Sequence, residues 1–160
     1  MAHPFVLYDN IFGYFVVLHY LCINNFNCLL MLINDNLLDA LCLEAKASER
    51  LRMNRDMRNT AEDNSQRMLN ALEVGTIMPI HRHRTTSETQ VLLRGKIDVM
   101  FYDNDGNETE RFSLDPQKGM YAVNVPIGQW HNLEVIESAV IFEAKDGKYA
   151  PLEPIDILLR

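Results

Sequence analysis

The stretch GTIMPIHRHRTTSETQVLLRG, residues 75–95, contains the most distinctive residue pattern of the chain. It contains two histidines, His81 and His83, with one residue between them, then Glu88, and a glycine stands at each end. Residues two apart in a β-strand point to the same face of the sheet, so the two imidazoles are predicted to project side by side. Such a pair can share one metal ion, although a His-x-His pair also occurs on solvent-exposed strand faces.

Two further residues strengthen the metal interpretation. Glu88 follows a short polar linker and precedes an apolar segment, so it can fold back toward the histidines. Much further along the chain, Pro126-Ile-Gly128-Gln-Trp130-His131 places a third histidine just after a predicted tight turn. The alternative interpretation of His131 is a structural histidine in a β core, and Trp130 is interpreted as a core residue.

The chain from Gln66 onward is predicted to be almost entirely β-structure. Short segments rich in Val, Ile, Leu, Phe and Tyr alternate with turn signals, and Asp103-Asn-Asp-Gly106 is typical of a hairpin. Many short strands without intervening helices indicate an antiparallel sandwich or barrel. The predicted strands are Arg67–Leu72, Thr76–His83, Thr89–Leu93, Lys96–Tyr102, Glu108–Leu114, Tyr121–Val125, Trp130–Val135 and Val140–Lys145.

A helix and a basic segment precede the β region. From Asn34 to about Ala47, apolar side chains recur at spacings of three and four, which predicts a helix with one apolar face. Asn34 or Asp35 can cap the start of this helix. Residues 48–58 are rich in arginine, which usually indicates a solvated basic edge, and residues 60–65 have the composition of a loop.

The first 30 residues differ in composition from the rest. They contain one acidic residue and no Lys or Arg, and asparagines interrupt their apolar run. Neither a complete membrane-spanning helix nor a secretory signal is indicated. We expect residues 1–30 to be an extension upstream of a start at Met31, or else a short hydrophobic anchor or packing helix. Residues 31–65 then form a helix and arginine-rich lead-in, and residues 66–160 form the β-barrel.

Composition limits the class of protein. A length of 160 residues suits one domain with a real core. A net charge of −7 argues against a nucleic-acid partner, since such proteins normally present a basic face. Three cysteines, Cys22, Cys28 and Cys42, predict free thiols in a reducing compartment, which favours a cytoplasmic location without membrane association. None lies near the histidine pair in the sequence, so a metal site there would use nitrogen and oxygen ligands.

The spacing of residues 75–95 resembles the first motif of the cupin superfamily. That motif consists of a glycine, a His-x-His pair, a glutamate and a second glycine, and this chain matches every spacing. The chain also resembles the second cupin motif, at Gly119, Pro126, Gly128 and His131, with two departures. One extra residue separates Gly119 from Pro126, and Val135 stands where the motif has asparagine. These departures concern the loop more than the metal-bearing residues.

The cupin resemblance implies both a fold and a metal site. The expected fold class is mainly β: a single-domain cupin, an antiparallel β-barrel or jelly roll, with a short N-terminal helical segment. The four ligand positions of the superfamily correspond to His81, His83, Glu88 and His131. The implied cofactor is one divalent transition metal, and this donor set suits Fe, Mn, Ni, Co or Zn without choosing among them.

A closer resemblance covers most of residues 31–160. The chain is similar to the WbuC-type cupin-fold metalloproteins, which occur in bacteria, often in gene clusters for surface polysaccharide synthesis. The resemblance rests on the short helix, on the segment around Arg50, Arg52 and Asn54, on the HRH motif, and on the final stretch from Phe142 to Tyr149. It implies that the arginine-rich segment lies across the barrel mouth.

Five residues are candidates for handling a ligand. Arg50, Arg52 and Asn54 are candidates for binding a substrate phosphate or carboxylate. Lys145 and Tyr149 are candidates for general acid or base catalysis if their side chains point inward. A surface or structural role is the alternative for each of the five.

Four functions compete at this point. The first is a metal-dependent isomerase or epimerase that acts on a small carbohydrate or nucleotide sugar through an enediolate. The others are a metal-dependent dioxygenase, a non-catalytic module that binds or senses a small anionic or sugar-like ligand, and a structural barrel without metal. A homodimer is expected because the sheet edges of barrel cupins often pair.

Overall fold

A computed structural model describes residues 31–158 of the chain. The fold begins with one helix that packs on a β-sheet. Helix α1 spans Asp35–Ala47, and the side chain of Asn34 caps it by accepting a hydrogen bond of 3.1 Å from the backbone N–H of Leu37. The predicted apolar face is buried against β-strand residues. The helix and its cap are therefore confirmed.

The rest of the described chain is mostly antiparallel β-sheet. The strands are β1 (Arg52–Asp56), β2 (Ser65–Leu72), β3 (Ile80–His81), β4 (Glu88–Tyr102), β5 (Glu108–Leu114), β6 (Ala122–Val125), β7 (Trp130–Asp146) and β8 (Ile157–Leu158). Short 3₁₀ helices at Pro116–Lys118 and Pro154–Asp156 connect some of them. This architecture confirms the predicted mainly β class with a short helical segment before it.

Two long strands, β4 and β7, hold the fold together. They pair with each other antiparallel along nearly their whole lengths. The first half of β4 also pairs with β6, and its second half pairs with β5. The C-terminal half of β7 pairs with β2, which carries β1 at its outer edge, while its N-terminal end pairs with β3. Each long strand is thus shared between two groups of strands, whose inward faces enclose the core.

Gly95 marks the place where β4 and β7 change partners. The β4–β7 register shifts on both sides of it. Gly95 has φ +83°, and a Cβ at this position would lie 2.1 Å from the carbonyl oxygen of Ser138 and 2.6 Å from Cα of Ala139. Only glycine permits both this dihedral angle and this approach of two backbones.

Replacing Gly95 with alanine is expected to destabilise the protein strongly. Positive φ and the clash with backbone atoms of β7 together should cost about 2–5 kcal/mol in the free energy of unfolding. Gly119→Ala is the matched control, because Gly119 has φ +78° but no atom lies within 4 Å of where its Cβ would stand. That control should lose only about 1–2 kcal/mol. Equal losses in urea or thermal unfolding would show that the backbone contact at Gly95 does not matter.

The hydrophobic core forms two layers, one on each face of the part of the sheet made by β2 and β7. One cluster joins α1 to the outer face of the sheet and contains Leu41, Ala45, Leu69 and Val140. Cys42, which lies on this face of the helix, is a buried free thiol. The larger cluster fills the space between the two groups of strands, with contributions from β2, β4, β5, β6 and β7.

Strand boundaries were predicted less accurately than strand positions. Thr89–Leu93 and Lys96–Tyr102 were predicted as separate strands but form one continuous strand, β4, because Gly95 bends the chain without ending the pairing. Likewise, β7 runs through the predicted break at Ser138. The predicted strand Thr76–His83 is reduced to Ile80–His81, since Pro79 cannot donate a backbone hydrogen bond.

The arginine-rich segment contains a strand that was not predicted. Residues Arg52–Asp56 form β1, which pairs with β2 at the edge of the sheet. The apolar residues 1–30, including Cys22 and Cys28, lie outside the described residues. Among the residues that are described, no helix combines the length and the apolar character needed to cross a membrane.

Candidate metal centre

Strand ends bring the predicted metal ligands together. His81 lies on β3 directly opposite His131 on β7, where the two residues are register partners. His83 follows two residues after His81, beyond the end of β3, and Glu88 is the first residue of β4. The pairing of β4 with β7 places Glu88 opposite Lys145. The fold therefore gathers residues that are far apart in the sequence.

The three imidazoles form a compact cluster. One nitrogen from each of His81, His83 and His131 lies within 4.8 Å of the others. The ring centroids of His81 and His131 are 4.3 Å apart, and those of His81 and His83 are 5.1 Å apart. His131 is 1% exposed and His81 is 8% exposed, so the cluster is largely shielded from solvent. This arrangement could hold one metal ion.

Backbone carbonyls orient two of the three rings. Nδ1 of His81 lies 3.1 Å from the carbonyl oxygen of Pro79, and Nδ1 of His131 lies 2.9 Å from that of Gln129. A carbonyl oxygen only accepts hydrogen bonds, so each Nδ1 must carry the proton. The Nε2 of each neutral ring then keeps its lone pair free, as a metal ligand requires.

Glu88 contacts two of the histidines with its two oxygens. Its Oε1 lies 3.0 Å from Nε2 of His131, and its Oε2 lies 3.1 Å from Nε2 of His83. A carboxylate and an unprotonated Nε2 both present lone pairs, and this is unfavourable in a buried site unless a proton or a cation lies between them. The residues present therefore fit a divalent cation, with three imidazole nitrogens and one carboxylate as donors.

The protonation states also suit metal binding. Burial, with a smaller contribution from the neighbouring His131, lowers the pKa of His81 to about 4. His81 is therefore neutral near pH 7. Burial alone would raise the pKa of Glu88, but its contacts with His131 and His83, in which a shared proton takes the place of a cation, outweigh burial and hold this pKa well below its usual value. The carboxylate is therefore charged.

A set of polar side chains surrounds Glu88. The amide of Gln90 donates a hydrogen bond of 2.7 Å to Oε1 of Glu88. Nζ of Lys145 lies 3.6 Å from Oε2 of Glu88 and 3.3 Å from Nε2 of His83. Lys145 also lies 3.5 Å from Oε1 of Glu143. These contacts link the candidate ligands to two further ionisable groups.

Glu143 is a site residue that sequence reasoning did not single out for function. Asn70 donates a hydrogen bond of 3.2 Å to Oε2 of Glu143. Burial raises the pKa of Glu143, and the nearby negative charge of Glu88 raises it further. The available signal was strand alternation, because Ile141, Glu143 and Lys145 must share one face of β7. Gln90, two residues after Glu88, could have been found in the same way.

A cavity of about 370 Å³ adjoins the cluster, and His81, His83 and Glu88 form part of its wall. The wall also contains all five residues that the sequence suggested for ligand handling: Arg50, Arg52, Asn54, Lys145 and Tyr149. Apolar side chains complete it, among them Leu72, Met78, Leu133 and Ile141. The fold thus brings the metal centre and the basic lead-in segment to one cavity.

The two candidates for proton transfer have different surroundings. Lys145 has direct contacts with the candidate ligands, as described above. Tyr149 is 61% exposed, and Arg58 lies 5.8 Å above the centroid of its ring. Lys145 is therefore the better placed candidate.

Trp130 is a core residue, as the sequence predicts. It is buried, and its indole N–H donates to the side chain of Asn104.

Similar architectures occur in several solved structures. KdgF from Halomonas sp. has a TM-score of 0.50 and 14% identity over 61% of this chain and 82% of that one. The capsular polysaccharide assembling protein CapF from Staphylococcus aureus has a TM-score of 0.55 and 21% identity, over 65% of this chain and 28% of that one. The cupin domain of Cnp3 from Schizosaccharomyces pombe has a TM-score of 0.50 and 14% identity, over 62% and 67% of the two chains.

These likenesses confirm the predicted cupin fold. At such low identity they bear on the fold alone, and the match to CapF covers less than a third of that protein. No protein with a curated description matches the chain in sequence.

A family model matches about half of the chain. It covers residues 33–114, which include α1, strands β1 to β5, the HRH motif and Glu88. The chain belongs to the family described as "Domain of unknown function (DUF6016)".

Proposed function

We propose that this protein is a metal-dependent isomerase or epimerase of a small carbohydrate, with His81, His83, Glu88 and His131 as ligands of one divalent ion. One observation carries the metal part of the proposal: both oxygens of Glu88 lie about 3 Å from an imidazole nitrogen, in a buried position that requires a cation or shared protons. The same cavity contains proton-carrying groups, which isomerisation and epimerisation both need.

A bound divalent ion would polarise a substrate carbonyl oxygen and so acidify the neighbouring C–H bond. The protein groups then have to move a proton. A base removes it from that carbon, and the bonding electron pair moves toward the carbonyl oxygen. Return of the proton to the opposite face of the same carbon inverts it. Return to the former carbonyl carbon gives an isomer, provided that the hydroxyl proton of the neighbouring carbon passes to the former carbonyl oxygen.

Lys145 and Glu143 are the groups best placed for this proton transfer. Both line the cavity, and their side chains lie 3.5 Å apart. The raised pKa of Glu143 makes its carboxyl group a better proton carrier near neutral pH than an exposed glutamate would be. Asn70 and Lys145 hold the Glu143 carboxyl group in place.

The carbohydrate substrate is supported by two similarities. The chain resembles WbuC-type cupin metalloproteins, and its fold is similar to part of CapF, a capsular polysaccharide assembling protein. We propose a role in bacterial surface polysaccharide metabolism on the strength of these two similarities. A cytoplasmic location and a homodimer remain predictions. Gel filtration with light scattering would measure the oligomeric state.

Hydrogen exchange in D₂O tests the proposed reaction. The metal-loaded protein is incubated with aldoses, ketoses, hexose phosphates and nucleotide sugars, and NMR follows loss of C–H signals next to the carbonyl group. At least one compound should exchange with the metal-loaded protein and none with the chelated protein. Lys145→Met should lower the exchange rate about 10²–10⁴-fold, the usual size of a general acid–base contribution.

Measuring the metal content of each sample separates loss of proton transfer from loss of the metal ion. Lys145 is not a proposed ligand, so Lys145→Met should bind the same amount of metal as the unaltered protein. If no compound exchanges with Fe, Mn, Ni, Co or Zn in the site, the isomerase proposal is wrong. Oxygen consumption with the Fe form would then favour a dioxygenase, and tight binding without turnover would favour a binding module.

A further inference from the structure

A strained residue stands at the start of the edge strand beside the cavity. Leu51 has φ 55°, the only positive φ of a non-glycine residue within residues 31–158. Its backbone N–H donates to the carbonyl oxygen of Ser48, and its own carbonyl accepts from the N–H of Glu73 and the hydroxyl of Thr76. These three hydrogen bonds hold a conformation that costs on the order of 1 kcal/mol or more for a residue with a side chain.

The strained residue lies between two arginines that line the cavity, Arg50 and Arg52. Within residues 31–158, neither has a carboxylate at ion-pair distance, whereas every other arginine there has one. The two are therefore the uncompensated guanidinium groups of the described chain. In a protein of net charge −7, such a pair beside a cavity indicates an anion site.

Arg52 is held in position for binding. Its guanidinium donates a hydrogen bond of 3.3 Å to the carbonyl oxygen of Ile77 and contacts the sulfur of Met78. Burial lowers the pKa of Arg52, and the positive charge of Arg50 lowers it further. The negative charge of an anion bound by both guanidinium groups would offset these two effects. A fixed guanidinium also loses less side-chain entropy on binding than a mobile one.

Two amide side chains in the cavity wall have unpaired oxygens. The Gln66 amide nitrogen donates to the carbonyl oxygens of Gly147 and Lys148, and that of Gln90 donates to Glu88. These partners only accept hydrogen bonds, so the orientation of both amides is determined and each carbonyl oxygen faces away from them. Both oxygens are buried without a donor among the described residues. Neither oxygen has surface open to solvent, so a ligand hydroxyl group would reach it only after a shift of the side chain.

The cavity is small compared with many ligand sites. Its volume of about 370 Å³ is near the lower end of the roughly 300–1,000 Å³ that is usual for such pockets. Met78, which Arg52 contacts, is three residues before His81. Three residues of extended chain span at most about 10 Å. The residue that Arg52 contacts thus lies no further than about this distance along the chain from His81, a span that a monosaccharide can bridge.

We infer that the cavity binds an anionic monosaccharide, with its oxyanion on Arg50 and Arg52 and its hydroxyl groups toward the metal centre. This inference rests on the proposed function for the metal end of the ligand. The oxyanion is a carboxylate or a phosphate, because both pair with guanidinium groups in the same bidentate way. A neutral sugar lacks the partner for the arginines, and a cavity of about 370 Å³ favours a monosaccharide over a nucleotide sugar.

Isothermal titration calorimetry on the metal-loaded full chain tests the inference with four probes: glucose, glucuronate, glucose 6-phosphate and UDP-glucose. Glucuronate or glucose 6-phosphate should bind at least about tenfold more tightly than glucose, and comparison of these two identifies the anion. Arg50→Ala should weaken the better anionic probe about 10- to 100-fold, as expected for loss of a charged hydrogen bond. Arg50 is exposed, so this substitution should not disturb folding.

Arg55→Ala is the matched control, because Arg55 lies on the same edge segment but pairs with Glu44 at 3.7 Å and is absent from the cavity wall. It should leave binding unchanged. Equal affinity for glucose and the anionic probes, equal effects of the two substitutions, or no binding of any probe would overturn the inference. Tighter binding of UDP-glucose than of both anionic monosaccharides would overturn the assigned size. Metal content of the same samples shows separately whether the proposed metal centre stands.

Discussion

The variant His131→Ala is expected to lose its metal while the unaltered protein holds about one ion per chain after reconstitution. His131 is 1% exposed, and its Nε2 lies 3.0 Å from Glu88, so its removal takes away a preorganised nitrogen donor that no solvent molecule easily replaces. Loss of a group that merely orients a ligand typically costs 10- to 100-fold in metal affinity. Loss of the ligand itself should cost at least about 100-fold. Metal analysis after gel filtration measures the difference.

The control for His131→Ala must separate lost ligation from lost stability. Leu133 lies two residues further along the same face of β7 and is 5% exposed. Leu133→Ala should lower the free energy of unfolding by about 2–5 kcal/mol because it leaves a cavity. It should nevertheless keep its metal. If both variants lose metal equally, or if His131→Ala retains it, His131 is not a ligand.

Glu88→Gln is expected to abolish the stabilisation of the protein by metal. An ion present at 100 times its dissociation constant adds about 2.7 kcal/mol to the free energy of unfolding. For a chain of this size that should raise the melting temperature by roughly 5–10 °C. The variant keeps the size of the side chain but lacks the negative charge, so the same metal should raise its melting temperature by only about a degree or two.

The metal-free form gives this variant a second readout. Without metal, the neighbours of Glu88 favour its charged carboxylate, as the lowered pKa of this group indicates, and a neutral glutamine amide lacks that stabilisation. Metal-free Glu88→Gln should therefore melt somewhat below the metal-free parent. A variant that metal stabilises as much as the parent would contradict the proposed role of Glu88.

The parts of the fold that repeat a local pattern could be predicted from the sequence. Helix α1 and its Asn34 cap follow from apolar spacing and one polar side chain, both of which act within a few residues. The pairing of His81 with His131 could not be derived from local pattern, since 50 residues of chain separate them. The cupin motifs supplied that connection through resemblance.

The bend at Gly95 and the edge strand β1 were harder to predict than helix α1, because contacts with other strands determine both. Gly95 has the sequence signature of a turn, but here the glycine lets two backbones approach while the strand continues. Arg52–Asp56 lacks the apolar alternation of a strand because it lies at the sheet edge with one paired neighbour, β2. Hydrogen bonding to β2, rather than intrinsic propensity, determines its conformation.

The candidate metal ligands were easier to recognise in the sequence than the residues around them. Ligands are restricted to a few residue types at short spacings, which makes them visible in a sequence. Glu143 and Gln90 matter because of their neighbours across β2, β4 and β7, and a sequence read along one strand does not show those neighbours. The same holds for Arg50 and Arg52, whose lack of carboxylate partners emerges only from the folded chain.

Anomalous diffraction from crystals of the metal-loaded protein, collected at the absorption edge of the bound metal, would locate the ion. We predict one strong peak at about 2.0–2.2 Å from a nitrogen of each of His81, His83 and His131 and from an oxygen of Glu88. Stoichiometric metal with its peak elsewhere, or with Glu88 turned away from the ion, would show that these four residues are not the ligand set.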